Sequence, residues 1–143
     1  MQLKQLSVFL ENRTGRLAEV TRTLGDAGVN IRALSVADTS DFGILRLLVD
    51  KPKDAVEALN SVGLTVRLTE VVAVEIVDRP GGLATVLSLL QGSSINVEYM
   101  YAFMERHREN AILVFRFENP QKAITILQEA NIKVFAAEEL VEM

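Results

Sequence analysis

Two short stretches of this 143-residue chain carry residue types suited to holding a small anion. They are Asn12-Arg13-Thr14-Gly15 and Asp78-Arg79-Pro80-Gly81-Gly82, each placed before an apolar-periodic segment that reads as a helix. The first N–H groups of a helix have no intrahelical acceptor, and glycine lets a ligand come close to the backbone. A carboxylate docked there gains about 0.3–2 kcal/mol from the helix dipole, and Arg13 or Arg79 adds a full charge. For either loop alone, an ordinary strand-to-helix turn, capped in the first copy by Thr14, competes with that reading. Asn30 and Asn96 form a second pair, each at the start of an extended segment. Asparagine offers both a donor and an acceptor, so it can bridge an amine and a carbonyl; an Asx-turn at a helix–strand junction is the plainer alternative.

Recurrence argues for the functional readings. Val8 to Leu17 superimposes on Val74 to Leu83 at an offset of 66, which also carries Val20 onto Val86, Leu24 onto Leu90 and Asn30 onto Asn96. Beyond the middle of each half the offset becomes 68, so that Gly43 meets Ala111, Pro52 meets Pro120 and Leu59 meets Leu127. Two extra residues in the second half's central turn account for the change. A register this long marks two copies of one unit.

Within each copy the periodicity switches in a fixed order. Leu6, Val8 and Leu10 alternate as in a strand, and Gly15 then opens a helix with Leu17, Val20, Leu24 and Ala27 on one face, stopping at Gly28. Residues 29–37 are extended, 38–42 turn, and 43–49 form a second run. Lys51-Pro52 starts another helix, with Ala55, Val56 and Leu59 inward, Gly63 ends it, and Leu64, Val66 and Leu68 form a last strand. The second copy repeats this with a strand over 71–77, a helix over 80–92, strands over 95–104 and 110–118, a helix over 120–130 and a strand over 132–140. The order is β-α-β-β-α-β. The expected fold is therefore α+β, two ferredoxin-like βαββαβ units packed side by side, with domains at 1–69 and 70–143. Leu45, Leu47 and Val49 are apolar on one parity of their strand while Ile44 and Leu48 are apolar on the other, so that strand expects cover on both faces. Units near half this length bury only about 60% of their unfolded surface, so packed units and a homodimer are expected.

Composition narrows the function classes. Hydrophobic residues make up 49% and charged residues 24%, enough for a core and too evenly spread for disorder. The net charge of −4 gives no basic face for phosphates, and Arg106-His107-Arg108 sits between Glu105 and Glu109, reading as a solvated turn. The absence of cysteine removes disulfides and thiolate chemistry. No apolar run approaches the roughly 20 residues of a membrane span, and no leader pattern opens the chain, so a cytoplasmic protein with no membrane or nucleic-acid partner is expected. His107 has no second histidine for a metal pair, and neither a phosphate-binding Gly-rich loop nor a nucleophile–base pair is evident. The reading is of no enzyme, no metal and no cofactor. A hidden isomerase or dehydratase is the alternative, to be sought as activity on amino or keto acids.

Leu10-Glu11-Asn12-Arg13-Thr14-Gly15-Arg16-Leu17, with Gly28-Val29-Asn30-Ile31 and Leu34-Ser35-Val36, resembles ACT domains, particularly that of the acetolactate synthase regulatory subunit. Asp78-Arg79-Pro80-Gly81-Gly82-Leu83 with Ser94-Ile95-Asn96-Val97 resembles the ACT form of amino-acid-responsive enzymes. The resemblance covers nearly the whole chain as a tandem pair. It implies a free amino acid as effector, held at a domain interface by Asn12, Gly15 and Asn30 and by Asp78, Gly81 and Asn96. Asp78 in place of asparagine would repel a ligand carboxylate and attract its ammonium. The resemblance implies a regulatory sensor, or alternatively the regulatory subunit of a biosynthetic enzyme such as acetolactate synthase.

Overall fold

The computed structural model describes residues 2–11, 13–38 and 41–142, with only the backbone of Asp38. Asn12, named above as a ligand residue, and residues 39 and 40 of the expected turn lie outside the described residues. The chain divides into two compact units, Lys4–Thr69 and Glu70–Met143, the latter including Met1–Leu3.

In the first unit, β1 (Leu3–Glu11), α1 (Arg16–Asp26), β2 (Ile31–Asp38), β3 (Phe42–Val49) and α2 (Pro52–Ser61) lead into β4 (Thr65–Ile76). The strand order is β2-β3-β1-β4, with β3 antiparallel to both β1 and β2. The register sets Leu6 opposite Leu47 and Val8 opposite Leu45. These side chains share one face and pack on Val20 and Leu24 of α1 and on Ala55 and Leu59 of α2. Pro52 stands at the start of α2, where a missing N–H costs nothing. Two residues assigned to the inward stripe of α1 are not in the core: Leu17 is 46% exposed and Ala27 is exposed. Leu17 lies in the first turn of α1 and Ala27 is its C-cap.

The second unit continues with α3 (Gly82–Gly92), β5 (Val97–Ala102), β6 (Ala111–Phe117), α4 (Pro120–Glu129) and α5 (Ala137–Val141). Its strands run β4-β6-β5, all antiparallel neighbours. Val72, Val74, Phe115 and Phe117 pack against Val86 and Leu90 of α3 and Ala123 and Leu127 of α4. Leu48 in β3 and Ile112 and Val114 in β6 are also buried, as the two-faced pattern of these strands requires. No described helix is long and apolar enough to cross a membrane.

Two expectations are corrected. The last strand of the first copy and the first strand of the second are one continuous twelve-residue strand, β4, because no turn residue interrupts 65–76. The strand expected over 132–140 is confined to a single bridge of Val134 to Val74, after which the chain turns into α5. There the Glu139 carboxylate accepts the Ala136 N–H at 2.9 Å, and Glu138 and Glu139 occupy the first turn, where negative charge favours a helix. The apolar alternation is real, but good helix formers and an N-terminal cap override it.

Candidate functional site

Each leading loop ends in a left-handed glycine that caps the following helix: Gly15 (φ 91°) before α1 and Gly81 (φ 83°) before α3. Such a φ is unstrained only for glycine. Both N-cap residues are glycines, so neither helix is capped by its N-cap side chain, and the place expected for Thr14 as cap of α1 is taken by Gly15. The first turns close through Glu19 N–H to the Gly15 carbonyl and Thr85 N–H to the Gly81 carbonyl, each at 3.0 Å, and the Thr85 hydroxyl donates to the same Gly81 carbonyl at 3.0 Å. The N–H groups between each glycine and that bond have no intrahelical acceptor, and those of Arg16 and Gly82 are taken by the Arg13 and Arg79 carbonyls at 3.4 and 2.9 Å.

A cavity adjoins each loop. The first, about 70 Å³, includes Arg13, Arg16, Leu17 and Gly43 in its wall. The second, about 190 Å³, is walled by Arg79, Gly82 and Thr85, together with Glu75, Asn110 and Lys133, which sequence reasoning passed over. The matched residues Arg16 and Gly82 separate the two. Arg16 donates to the Glu19 carboxylate at 2.9 Å in the first unit. At Gly82 a Cβ would stand 2.0 Å from the Val77 carbonyl oxygen, so only glycine lets α3 start this close to the end of β4. Arg13 and Arg79 are both exposed at the loops.

The charge around the second loop is answered within the chain. The Asp78 carboxylate accepts from Arg106, whose guanidinium also donates to the Glu109 carbonyl at 2.7 Å. Asp78, expected to attract a ligand ammonium, is therefore already paired. His107 is not a solvated turn residue: its Nδ1 lies 3.0 Å from Glu75 Oε1, and its ring meets Phe135 edge-on at 5.2 Å. Asn110 donates to the same Glu75 oxygen at 3.0 Å. Burial pushes the Glu75 carboxyl up, but the hydrogen bonds from Asn110 and His107 and the nearby charge of His107 outweigh it and hold it below its ordinary value.

Asn30 and Asn96 lie at the opposite ends of α1 and α3 from the glycine loops. At 1.5 Å per residue, an 11-residue helix separates them by about 16 Å. Within one unit, loop and asparagine therefore do not meet on one small ligand. Asn30 donates its N–H to Asp50 Oδ1 at 2.8 Å and accepts the Asp50 N–H at 3.1 Å. Asn96 accepts the Glu118 N–H at 3.3 Å and borders a cleft of about 410 Å³ with Ser94, Glu118, Asn119 and Lys122.

Two duplicated βαββαβ units, each with an uncapped glycine start to its leading helix, define a tandem ACT-type fold. The chain belongs to the ACT domain pair family, whose profile matches residues 1–143. A crystal structure of protein BT0572 from Bacteroides thetaiotaomicron is 40% identical, covers 100% of this chain and 98% of that one, and superimposes with a TM-score of 0.93. The ligand-free regulatory subunit of aspartate kinase from Thermus thermophilus shares the fold at 18% identity and a TM-score of 0.65, covering 89% of this chain and 91% of its own. The corresponding subunit from Thermus flavus does so at 19% identity and 0.58, covering 90% and 93%. Among curated proteins none matches the chain.

Proposed function

We propose that this chain is a non-catalytic regulatory protein of the cytoplasm that binds a free α-amino acid. The observation carrying the reading is the duplicated ACT fold with two uncapped helix starts, each preceded by an arginine and ending in a left-handed glycine. Arg13, Thr14 and Gly15, with Asn12, are the proposed contacts in the first copy, and Arg79, Gly81 and Gly82 those in the second. A carboxylate is matched by the helix-start N–H groups and the arginine; Asn30 and Asn96, about 16 Å away at the other end of each leading helix, offer a donor and an acceptor of their own to a separate head group. Asp78 shapes the second loop through Arg106 rather than serving as a free anion. Coupling of about 1–3 kcal/mol between this ligand and a partner suffices for regulation, and a homodimer is the simplest assembly to carry it.

A second reading, the dedicated regulatory subunit of an amino-acid biosynthetic enzyme, is favoured by the aspartate kinase subunit, a regulatory chain of the same fold over nearly its whole length. Acetolactate synthase is the other enzyme class to test. Co-purification of a catalytic subunit distinguishes this reading from a self-contained sensor.

The test is a thermal-shift screen of the twenty amino acids at millimolar concentration, with and without Arg79→Ala. Ligand at 100 times its Kd stabilises the native state by about 2.7 kcal/mol, a readily visible rise in melting temperature. At least one amino acid is expected to raise it in the wild-type chain and to raise it less in the variant. A flat response to all twenty contradicts the reading.

A further inference from the structure

The two copies share one backbone arrangement where the leading helix gives way to the next strand, and they fill it differently. In the first copy the chain leaves α1 with Val29 N–H on the Leu24 carbonyl at 2.9 Å, and Asp50 N–H then meets the Asn30 carbonyl at 3.1 Å. In the second, Ile95 N–H meets the Leu90 carbonyl at 3.0 Å and Glu118 N–H the Asn96 carbonyl at 3.3 Å. The left-handed position is Gly28 (φ 73°) in one and Ser94 (φ 57°) in the other.

Side chains of the first copy occupy this place with one negative and one positive group. The Asp50 carboxylate accepts the Asn30 N–H at 2.8 Å, and the Lys51 ammonium donates to the Gly28 carbonyl at 3.2 Å. An anion and a cation thus sit on a donor and an acceptor two residues apart in the chain, the two kinds of charge that a small zwitterion carries. In the second copy these two residues are Glu118 and Asn119. The Asn119 side chain turns away to cap α4, accepting the Lys122 N–H at 3.1 Å. Among the described residues the Asn96 N–H and the Ser94 carbonyl receive no counterpart of the Asp50 and Lys51 bonds, and a cleft of about 410 Å³ is bordered there by Ser94, Asn96, Glu118 and Asn119.

We propose that the cleft beside Asn96 is a binding site for a small zwitterion, its carboxylate on the Asn96 N–H and its ammonium on the Ser94 carbonyl. Asp50 and Lys51 are the intramolecular version of that ligand in the first copy. Lys122 at the rim adds attraction for the carboxylate, and Glu118 for the ammonium. The proposal rests on the amino-acid reading above but places the ligand at the Asn96 end of the second copy alone instead of at the two glycine loops, giving one ligand per chain.

The experiment grafts each copy's side chains onto the other and titrates by calorimetry. The probes are the α-amino acid giving the largest melting shift and its 2-hydroxy acid counterpart, which lacks the ammonium. The doubly substituted Glu118→Asp, Asn119→Lys chain, which fills the cleft as the first copy does, is expected to lose at least about tenfold in affinity, with a fall in melting temperature no larger than that of Asn119→Ala, which loses the same α4 cap. The reciprocal Asp50→Glu, Lys51→Asn chain is expected to bind two molecules instead of one, and the 2-hydroxy acid to bind the wild-type chain at least about tenfold more weakly than the amino acid. Unchanged affinity in the first variant, with Arg79→Ala abolishing binding, overturns this site and leaves the amino-acid reading standing. Absence of any binding to the wild-type chain overturns that reading itself. Should the first variant fail to fold, the reciprocal one decides: two molecules per chain support the site, and one overturns it.

Discussion

The two copies carry almost the same core and differ at their ends. Leu59 and Leu127, matched by the repeat, are both fully buried beneath their helices and packed on the same kinds of strand residue. At the ends, Arg16 replaces Gly82, Lys51 replaces Asn119, and Phe9 replaces Glu75. Interior positions are held alike by volume and burial, since close-packed cores register the change of a single methylene. Exposed helix starts and strand ends bear no such constraint, so one copy is free to keep an open cleft while the other fills its own. The comparison teaches that the fold resides in what the copies share, and selectivity for a ligand in what they do not.

Cores that are equivalent should fail equally. Leu59→Ala and Leu127→Ala are each expected to destabilise by about 2–5 kcal/mol, measured by urea unfolding, because each leaves a cavity under a helix. A cost in one copy and not in the other would break the equivalence. The next contrast lies at the start of the leading helices. Gly82→Ala drives a Cβ into the Val77 carbonyl and is expected to cost about 1–3 kcal/mol, whereas Arg16→Ala forfeits one partly exposed pair with Glu19, worth about 0.5 kcal/mol. Denaturant midpoints at constant slope test both. At the second helices the caps differ. Asn119 caps α4 with its side chain and Lys51 makes no such bond to α2, so Asn119→Ala should cost about 1 kcal/mol and Lys51→Ala within about 0.5 kcal/mol of nothing.

The smallest effect is one of pH and belongs to the second copy alone. The Glu75 carboxyl is held below its ordinary value of 4.5, so its ionised form favours the folded state above that value. That contribution disappears as the pH falls through the folded-state value. Acid melting between about pH 5 and pH 3 should therefore be shallower in Glu75→Gln than in the wild-type chain, and Phe9→Leu should leave the slope unchanged. Equal slopes in the wild-type and Glu75→Gln chains would remove Glu75 from the acid response.

Much of this was legible from the residues. The offset of 66 carries Gly15 onto Gly81 and Asn30 onto Asn96, and it gives the duplicated βαββαβ order without coordinates. The second helices were marked by Pro52 and Pro120. What escaped had local causes. Ile132, Val134, Ala136 and Leu140 alternate as a strand would, yet the Glu139 cap and the propensity of Ala137-Glu138-Glu139-Leu140 close a helix from Ala137 onward. His107, amid arginines and glutamates, looked solvated because its partners Glu75 and Phe135 lie 32 and 28 residues away in sequence. The contrast of Asp50-Lys51 with Glu118-Asn119 stood in the alignment from the start. Its meaning was hidden because which backbone groups a side chain reaches is a property of the fold.

The most direct measurement is an amide-resolved NMR titration of the intact chain with the amino acid that stabilises it most. The amide of Asn96, a residue lining the cleft, should move strongly on saturation, and the Asn30 amide, already held by Asp50, should stay where it is. Movement of the Asn30 amide with Asn96 unmoved, or movement of neither, would contradict the assignment of the open site to the second copy.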